Sequence, residues 1–176
     1  MSTPSRGFTL VELMVAISVL AILLAVAAPS FNEFVANTKV RNVAENFYSG
    51  IQKARAEAIR SNELVEFVLT NSGKSWEVRV PGRAAAEQLI DSKTAAEGGA
   101  AAVVVNAGTV TTLTFNGLGA LTAPTAAVEL NFSHPLNSAC DNLSLAVRCV
   151  NVLVSLGGQS RLCEPERPTG DRRGCN

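Results

Sequence analysis

From Phe8 to Ala28 the chain is built almost wholly of Leu, Val, Ile, Ala, Met and Phe, and it carries one charged residue, Glu12. A helix of that length covers roughly 30 Å at about 1.5 Å per residue, which matches the hydrocarbon core of a bilayer. A carboxylate at the centre of such a helix costs on the order of 2.5–3.5 kcal/mol, and less near its edge. The segment therefore reads as a membrane helix that needs a positive partner. Ahead of it, Met1–Gly7 is short, polar and basic through Arg6. A secretory signal would share that leader, and Ala25-Val26-Ala27 fits an Ala-x-Ala cleavage site, but the apolar run exceeds the roughly 7–15 residues of a signal core.

Beyond Ala28 the pattern changes. Pro29 should kink the helix or loosen its hydrogen bonding. From Ser30 to about Ser61, Val40, Ala44, Phe47, Ile51, Ala54 and Ala58 recur in steps of four and three. That is one apolar stripe on a helix, and it predicts packing against a sheet. Lys39, Arg41, Glu45, Lys53, Glu57 and Arg60 fall mostly off the stripe and read as a solvated face. Strand signals follow. Leu64–Thr70 and Ser75–Val80 flank the polar loop Asn71-Ser72-Gly73-Lys74, a hairpin pattern. A variable connection over Arg83–Gly99 holds a short strand near Gln88–Ile90. Further strands are predicted at Ala102–Val105, Thr109–Phe115 and Val128–Phe132, then a long one within Leu143–Val154. Gly157-Gly158 turns that strand into a short return ending near Cys163. A long helix followed only by strands gives an α+β chain, a helix packed on an antiparallel sheet.

All four cysteines, Cys140, Cys149, Cys163 and Cys175, lie in the last quarter of the chain. An even count in an exported domain predicts disulfides, and four cysteines leave three pairings open. One of those bonds would hold the polar tail Glu164–Asn176 in place. No Cys-x-x-Cys spacing occurs and the single His134 precedes Pro135, so no metal or cofactor is expected. Formal net charge is zero, which argues against a strongly basic nucleic-acid binder. No Ser-His-Asp set, Cys-His pair or phosphate loop is present, so neither enzymatic chemistry nor a small-molecule substrate is expected.

Gly7-Phe8-Thr9-Leu10-Val11-Glu12 resembles the processing signal of type IV prepilins and of type II secretion pseudopilins. The resemblance implies cleavage by a prepilin peptidase between Gly7 and Phe8, and N-methylation of Phe8. It also implies that Glu12, with Phe8, serves assembly: the carboxylate pairs with the N-terminal amine of a neighbouring subunit. Pairing two buried charges removes much of the several kcal/mol that each costs alone. Pro29 stands where that family often carries a proline. The element order, and the stretch Gly158-Gln159-Ser160-Arg161-Leu162-Cys163-Glu164-Pro165, are similar to the GspH/FimT branch of pilin-like proteins.

The same resemblance implies a division into a leader (1–7), a membrane and assembly helix (8–29), its amphipathic continuation (30–62) and a β-rich domain (63–176). It further implies a single-pass protein of the bacterial inner membrane with its domain in the periplasm, later part of a pilus or pseudopilus. Its partners would be major and minor pilins. Three functions stay open: a structural or priming minor pilin, a DNA-binding minor pilin for natural transformation, and a minor pseudopilin of type II secretion. Some FimT-type members bind DNA through a C-terminal Gly-Arg-x-Arg motif. Here the first Arg of that motif is absent, and the candidates are Arg161, Arg167, Arg172 and Arg173. Glu164, Glu166 and Asp171 nearly cancel them.

Overall fold

The computed structural model describes residues 8–98, 100–138, 140 and 147–175. Gly7 and residues 143–146 of the last expected strand lie outside the described residues. The chain divides into two compact units, Met1–Val35 and Ala36–Asn176.

Helix α1 (Leu10–Ser61) begins where Thr9 caps it: the Thr9 hydroxyl accepts from Glu12 N at 3.2 Å, satisfying one of the free amides of the first turn. It ends at Asn62, whose φ of 55° is the left-handed conformation that stops helices. Among the described residues no single helix is by itself long and apolar enough to cross a membrane, but Leu10–Ala25 and Ser30–Ser61 together meet that test by length and composition. Pro29 stands in the break between those two runs.

In the first unit the apolar side chains of α1 face outward, Phe8 and Leu10 being 78% and 74% exposed. In the second unit the stripe is inverted in fate: Val40, Ala44, Phe47, Ile51, Ala54 and Ala58 are all buried. Each large apolar side chain removed from water there contributes about 1.5–3 kcal/mol.

The strands are β1 (Val65–Thr70), β2 (Ser75–Arg79), β3 (Leu89–Lys93), β4 (Val104–Asn106), β5 (Thr112–Phe115), β6 (Leu121–Ala123), β7 (Val128–Ser133), β8 (Val150–Val154) and β9 (Ser160–Cys163). They form two antiparallel sheets, ordered β3-β2-β1-β5-β6 and β4-β7-β8-β9, where a single sheet is the simpler expectation. Phe47 joins them beneath the helix: its ring meets Phe67 of β1 at 6.2 Å and Phe132 of β7 at 5.0 Å, both edge-on. The sheets also touch where Leu121 N of β6 donates to Leu156 O, in the turn between β8 and β9, at 2.9 Å.

The β1–β2 hairpin forms as its loop predicts, with Asn71, Ser72 and Gly73 all at positive φ. Other boundaries move. The expected strand at Gln88–Ile90 forms as Leu89–Lys93, because a short helix α2 (Ala85–Gln88) takes up Gln88. The strand expected from Thr109 starts at Thr112, because a turn at 107–110 consumes its first residues: Val110 N bonds Ala107 O at 3.1 Å and Gly108 N bonds Asn106 Oδ1 at 2.9 Å. Ala102 belongs to a 3-10 turn (Ala100–Ala102), which shifts β4 later, after the four-residue helix α3 (Ala95–Gly98). Strand β6 has no counterpart among the expected strands. It is three residues long and follows a turn in which Asn116 Oδ1 accepts from Leu118 N and Ala120 N, both at 3.0 Å.

Candidate functional site

Two regions carry the residues singled out above: the start of α1 and the disulfide-bound tail. At the start of α1, Phe8 and Glu12 are both exposed, and Glu12 is the only ionisable side chain between Phe8 and Ala28. Its backbone amide is capped by Thr9, but its carboxylate has no partner among the described residues. It lies in the first turn, where the helix dipole favours a negative charge by a few tenths of a kcal/mol to about 1 kcal/mol. An acid so placed can accept a cation from outside the chain.

The tail is organised by two disulfides, Cys140–Cys149 and Cys163–Cys175. They resolve the three possible pairings into two local loops, with sequence separations of 9 and 12. Glu166, inside the second loop, joins it to the first: one carboxylate oxygen accepts from Asn137 Nδ2 at 3.0 Å and from Cys149 N at 3.3 Å. Asn137 is itself buried and also donates to Val147 O at 2.9 Å. The tail then returns alongside β9, with Glu164 N donating to Arg173 O at 2.7 Å.

This geometry decides what the arginines do. Arg161 donates to the carbonyls of Gly174 and Cys175 at 3.4 and 3.0 Å, so it clamps the tail shut. Arg167 bonds Glu164 at 2.7 Å and lies 3.8 Å from Asp171; that hydrogen bond raises its pKa above the ordinary guanidinium value. Asp171 is held below the usual carboxylate range, first by the amide of Arg173 and then by the charges of Arg173 and Arg167. Arg173 sits 3.8 Å from Asp171, while Arg172 is exposed with no partner among the described residues. Arg161 and Arg167 are thus engaged within the tail, while Arg172 and Arg173 are exposed.

Gly158 is likewise structural. Its φ is 73°, and a Cβ there would stand 1.8 Å from Gly119 O, so only glycine allows the two turns to meet. Arg55 Nε donates to that same carbonyl at 3.0 Å. Sequence reasoning saw Glu166 only as a charge that offsets the arginines, and it did not single out Arg148, whose amide donates to Asn37 Oδ1 on α1 at 2.8 Å. Neither has a sequence signal, because each acts through a partner many residues away.

Comparison with known proteins agrees with this architecture. The prokaryotic N-terminal methylation motif matches residues 3–28, and the profile of the family described as Type II transport protein GspH matches residues 43–158. The type IV minor pilin FimU of Pseudomonas aeruginosa, in one crystal form, superposes with a TM-score of 0.57 at 21% identity, covering 77% of this chain and 97% of its own. The minor pseudopilin EpsH of the Vibrio cholerae type 2 secretion system gives 0.52 at 14%, covering 73% and 99%. At such identities these likenesses establish the fold. The type IV major fimbrial protein FimA of Dichelobacter nodosus is 42% identical over 40 residues, which are 23% of this chain. The match spans a quarter of FimA's length, 25%. With a helix laid on antiparallel sheets, a cross-linked tail and a methylation motif ahead of them, the chain has the fold of pilins and pseudopilins and belongs to the Type II transport protein GspH family.

Proposed function

We propose that this chain is a minor subunit of a type IV pilus, made as a precursor, cut between Gly7 and Phe8, and methylated on Phe8. Residues 8–29 hold it in the bacterial inner membrane with the domain in the periplasm. Glu12 then accepts the N-terminal ammonium of a neighbouring pilin during assembly. The observation that carries this reading is the exposed carboxylate of Glu12, the one acid in an apolar run whose side chains face outward. In an apolar packing of helices that acid would cost several kcal/mol unless it met a cation. The short match to a major fimbrial protein accords with a pilus subunit. Pro29 would let the helix bend where it leaves the apolar run.

The test is twofold. Mass spectrometry of the native protein should find a methylated Phe8 as the first residue. Glu12→Ala should leave the protein in the membrane fraction but deplete it from sheared fibres at least about tenfold, as loss of one buried charge pair implies. Normal incorporation of Glu12→Ala would sink the pairing account.

A second reading, a minor pseudopilin of type II secretion, is favoured by the GspH profile and the likeness to EpsH. Deleting the gene separates the two: loss of surface fibres supports the pilus, and loss of protein secretion supports the pseudopilus. The DNA-uptake reading has less support, because Arg161 and Arg167 are bound within the tail. A salt-dependent gel shift abolished by Arg172→Ala with Arg173→Ala would revive it.

A further inference from the structure

We propose that Arg55, with the aliphatic side chains of Ile59, Leu118 and Leu156, is a docking point for a carboxylate carried on an aliphatic segment of a neighbouring subunit. The identity of the partner rests on the reading of the chain as a fibre subunit. The site itself lies wholly within the second unit.

Four arginines of that unit are half-buried among the described residues: Arg55, Arg79, Arg83 and Arg167. Three of them have a carboxylate within hydrogen-bond distance. Arg79 meets Glu66 at 2.9 Å, Arg83 meets Glu63 at 2.6 Å and Arg167 meets Glu164 at 2.7 Å. Arg55 differs. Its Nε donates to Gly119 O at 3.0 Å, and no described residue accepts from its terminal nitrogens. A guanidinium presents five N–H donors in a flat fork. With Nε committed to a backbone carbonyl, Nη1 and Nη2 remain as a pair that suits the two oxygens of a carboxylate.

The surroundings of Arg55 are rigid and apolar. The turns at 116–120 and 155–158 meet beside it. A Cβ on Gly119 would lie 2.7 Å from Ile59 Cδ1 and 3.1 Å from Arg55 Nε, and one on Gly158 would lie 3.2 Å from Arg55 Nε. Each turn carries one exposed leucine, Leu118 at 86% and Leu156 at 51%, and Ile59 on α1 is 50% exposed. A single exposed leucine is ordinary on a protein surface. Here three elements that converge on one guanidinium each bring an aliphatic side chain with them. Both turns are closed by their own backbone bonds, Gly119 N to Asn116 O at 2.7 Å and Gly158 N to Ser155 O at 2.8 Å. A partner therefore has little to order on this side, which lowers the entropic cost of binding.

Charge and shape select the occupant. One guanidinium neutralises one phosphate, too few for a nucleic acid, whose affinity grows with the number of phosphates met. Leu118 projects into solvent and lines no cavity, so a small molecule would find no enclosing wall. An arginine among aliphatic side chains is instead the composition of a protein-interface anchor, where apolar neighbours exclude water and the ion pair gains strength. The complement is an Asp or Glu beside aliphatic residues.

The experiment places a photoreactive benzoylphenylalanine at Leu118 of the full chain in its own cells, and identifies the cross-linked peptide by mass spectrometry. The peptide should come from another pilin-like subunit and carry an Asp or Glu beside the attachment point. Arg55→Gln should lower the yield about tenfold, and Arg55→Glu combined with the partner's acid changed to arginine should restore it. Should Arg55→Gln not fold, Leu118→Ser read with the photolabel at Leu156 makes the same comparison, again with a loss of about tenfold. No cross-link, a peptide without an acid, a yield that neither substitution changes, or label found only on lipid or nucleic acid overturns the proposal. A cross-link to an acidic segment of a protein that is no pilin would support the site and refute the fibre reading, which the search for methylated Phe8 tests separately.

Discussion

Replacing Gly50 by alanine places a methyl group on the buried face of α1, against the first sheet. An ideal Cβ there would lie 2.8 Å from Phe67 Cε2, and 2.9 and 3.0 Å from Trp76 Cζ2 and Cε2. Carbon atoms in ordinary contact are about 3.5–4.0 Å apart, so two rings must move by roughly 0.5–1 Å. Neither has room. Phe67 is 0% and Trp76 3% exposed, and their centroids are 5.5 Å apart. Two effects oppose each other. Alanine is better than glycine in a helix by about 0.8–1 kcal/mol. Overpacking a tight core costs about 1–3 kcal/mol. Rigid aromatic neighbours put this site at the upper end, so a net loss of about 1–2 kcal/mol is expected. For a unit of this size that lowers Tm by about 3–8 °C. Circular dichroism gives Tm, and emission from Trp76, the single tryptophan, reports the displaced ring. Trp76→Leu in the same chain should relieve part of the cost, and Gly82→Ala, with nothing within 4 Å, should be close to neutral. A Tm raised by Gly50→Ala would mean that helix propensity dominates and that the packing argument is wrong.

Three further outcomes can be measured. Cys163→Ser with Cys175→Ser should cost about 2.5–3 kcal/mol from loop entropy, and exchange should rise across residues 164–175 and, through Glu166, at Cys149. Gly158→Ala should destabilise by about 2–4 kcal/mol, because it adds overpacking against Gly119 to an unfavourable left-handed backbone; a wild-type Tm would refute the close approach of the two turns. Glu57 is held below its ordinary value of 4.5, first by the hydrogen bond from Arg60 and then by the charges of Arg60 and Arg83. Its stabilisation is therefore present above that value and lost as pH falls through the lowered one. Glu57→Gln should flatten this acid limb of the stability profile, and an unchanged limb would show that the pair contributes nothing.

The long helix and the first hairpin were legible because their signals are local. The stripe from Val40 to Ala58 shows its period in the chain itself, and the Asn71–Gly73 loop announces a turn. The division into two sheets was not legible. It depends on β1 pairing with β5 and β7 with β8, contacts between residues far apart in sequence. The same reason hid β6, a three-residue strand held by its neighbour and by a turn. At the tail, cysteine count and position were readable but pairing was not. Arg161 looked like a surface cation because its two partners are backbone carbonyls, which no residue type reveals.

The buried stripe of α1 has a mechanical consequence. Val40 and Ala58 are eighteen residues apart, a track of about 27 Å along the helix axis. A tug along that axis shears the whole track at once, since every turn must slip past its sheet together. Dispersion contacts that are individually about 0.1–0.2 kcal/mol then resist in parallel. Traction applied at Ala36 would thus be shared among Val40, Phe47, Ile51 and the rings they touch, so the domain should hold its shape under tension far better than one whose helix could be peeled off turn by turn.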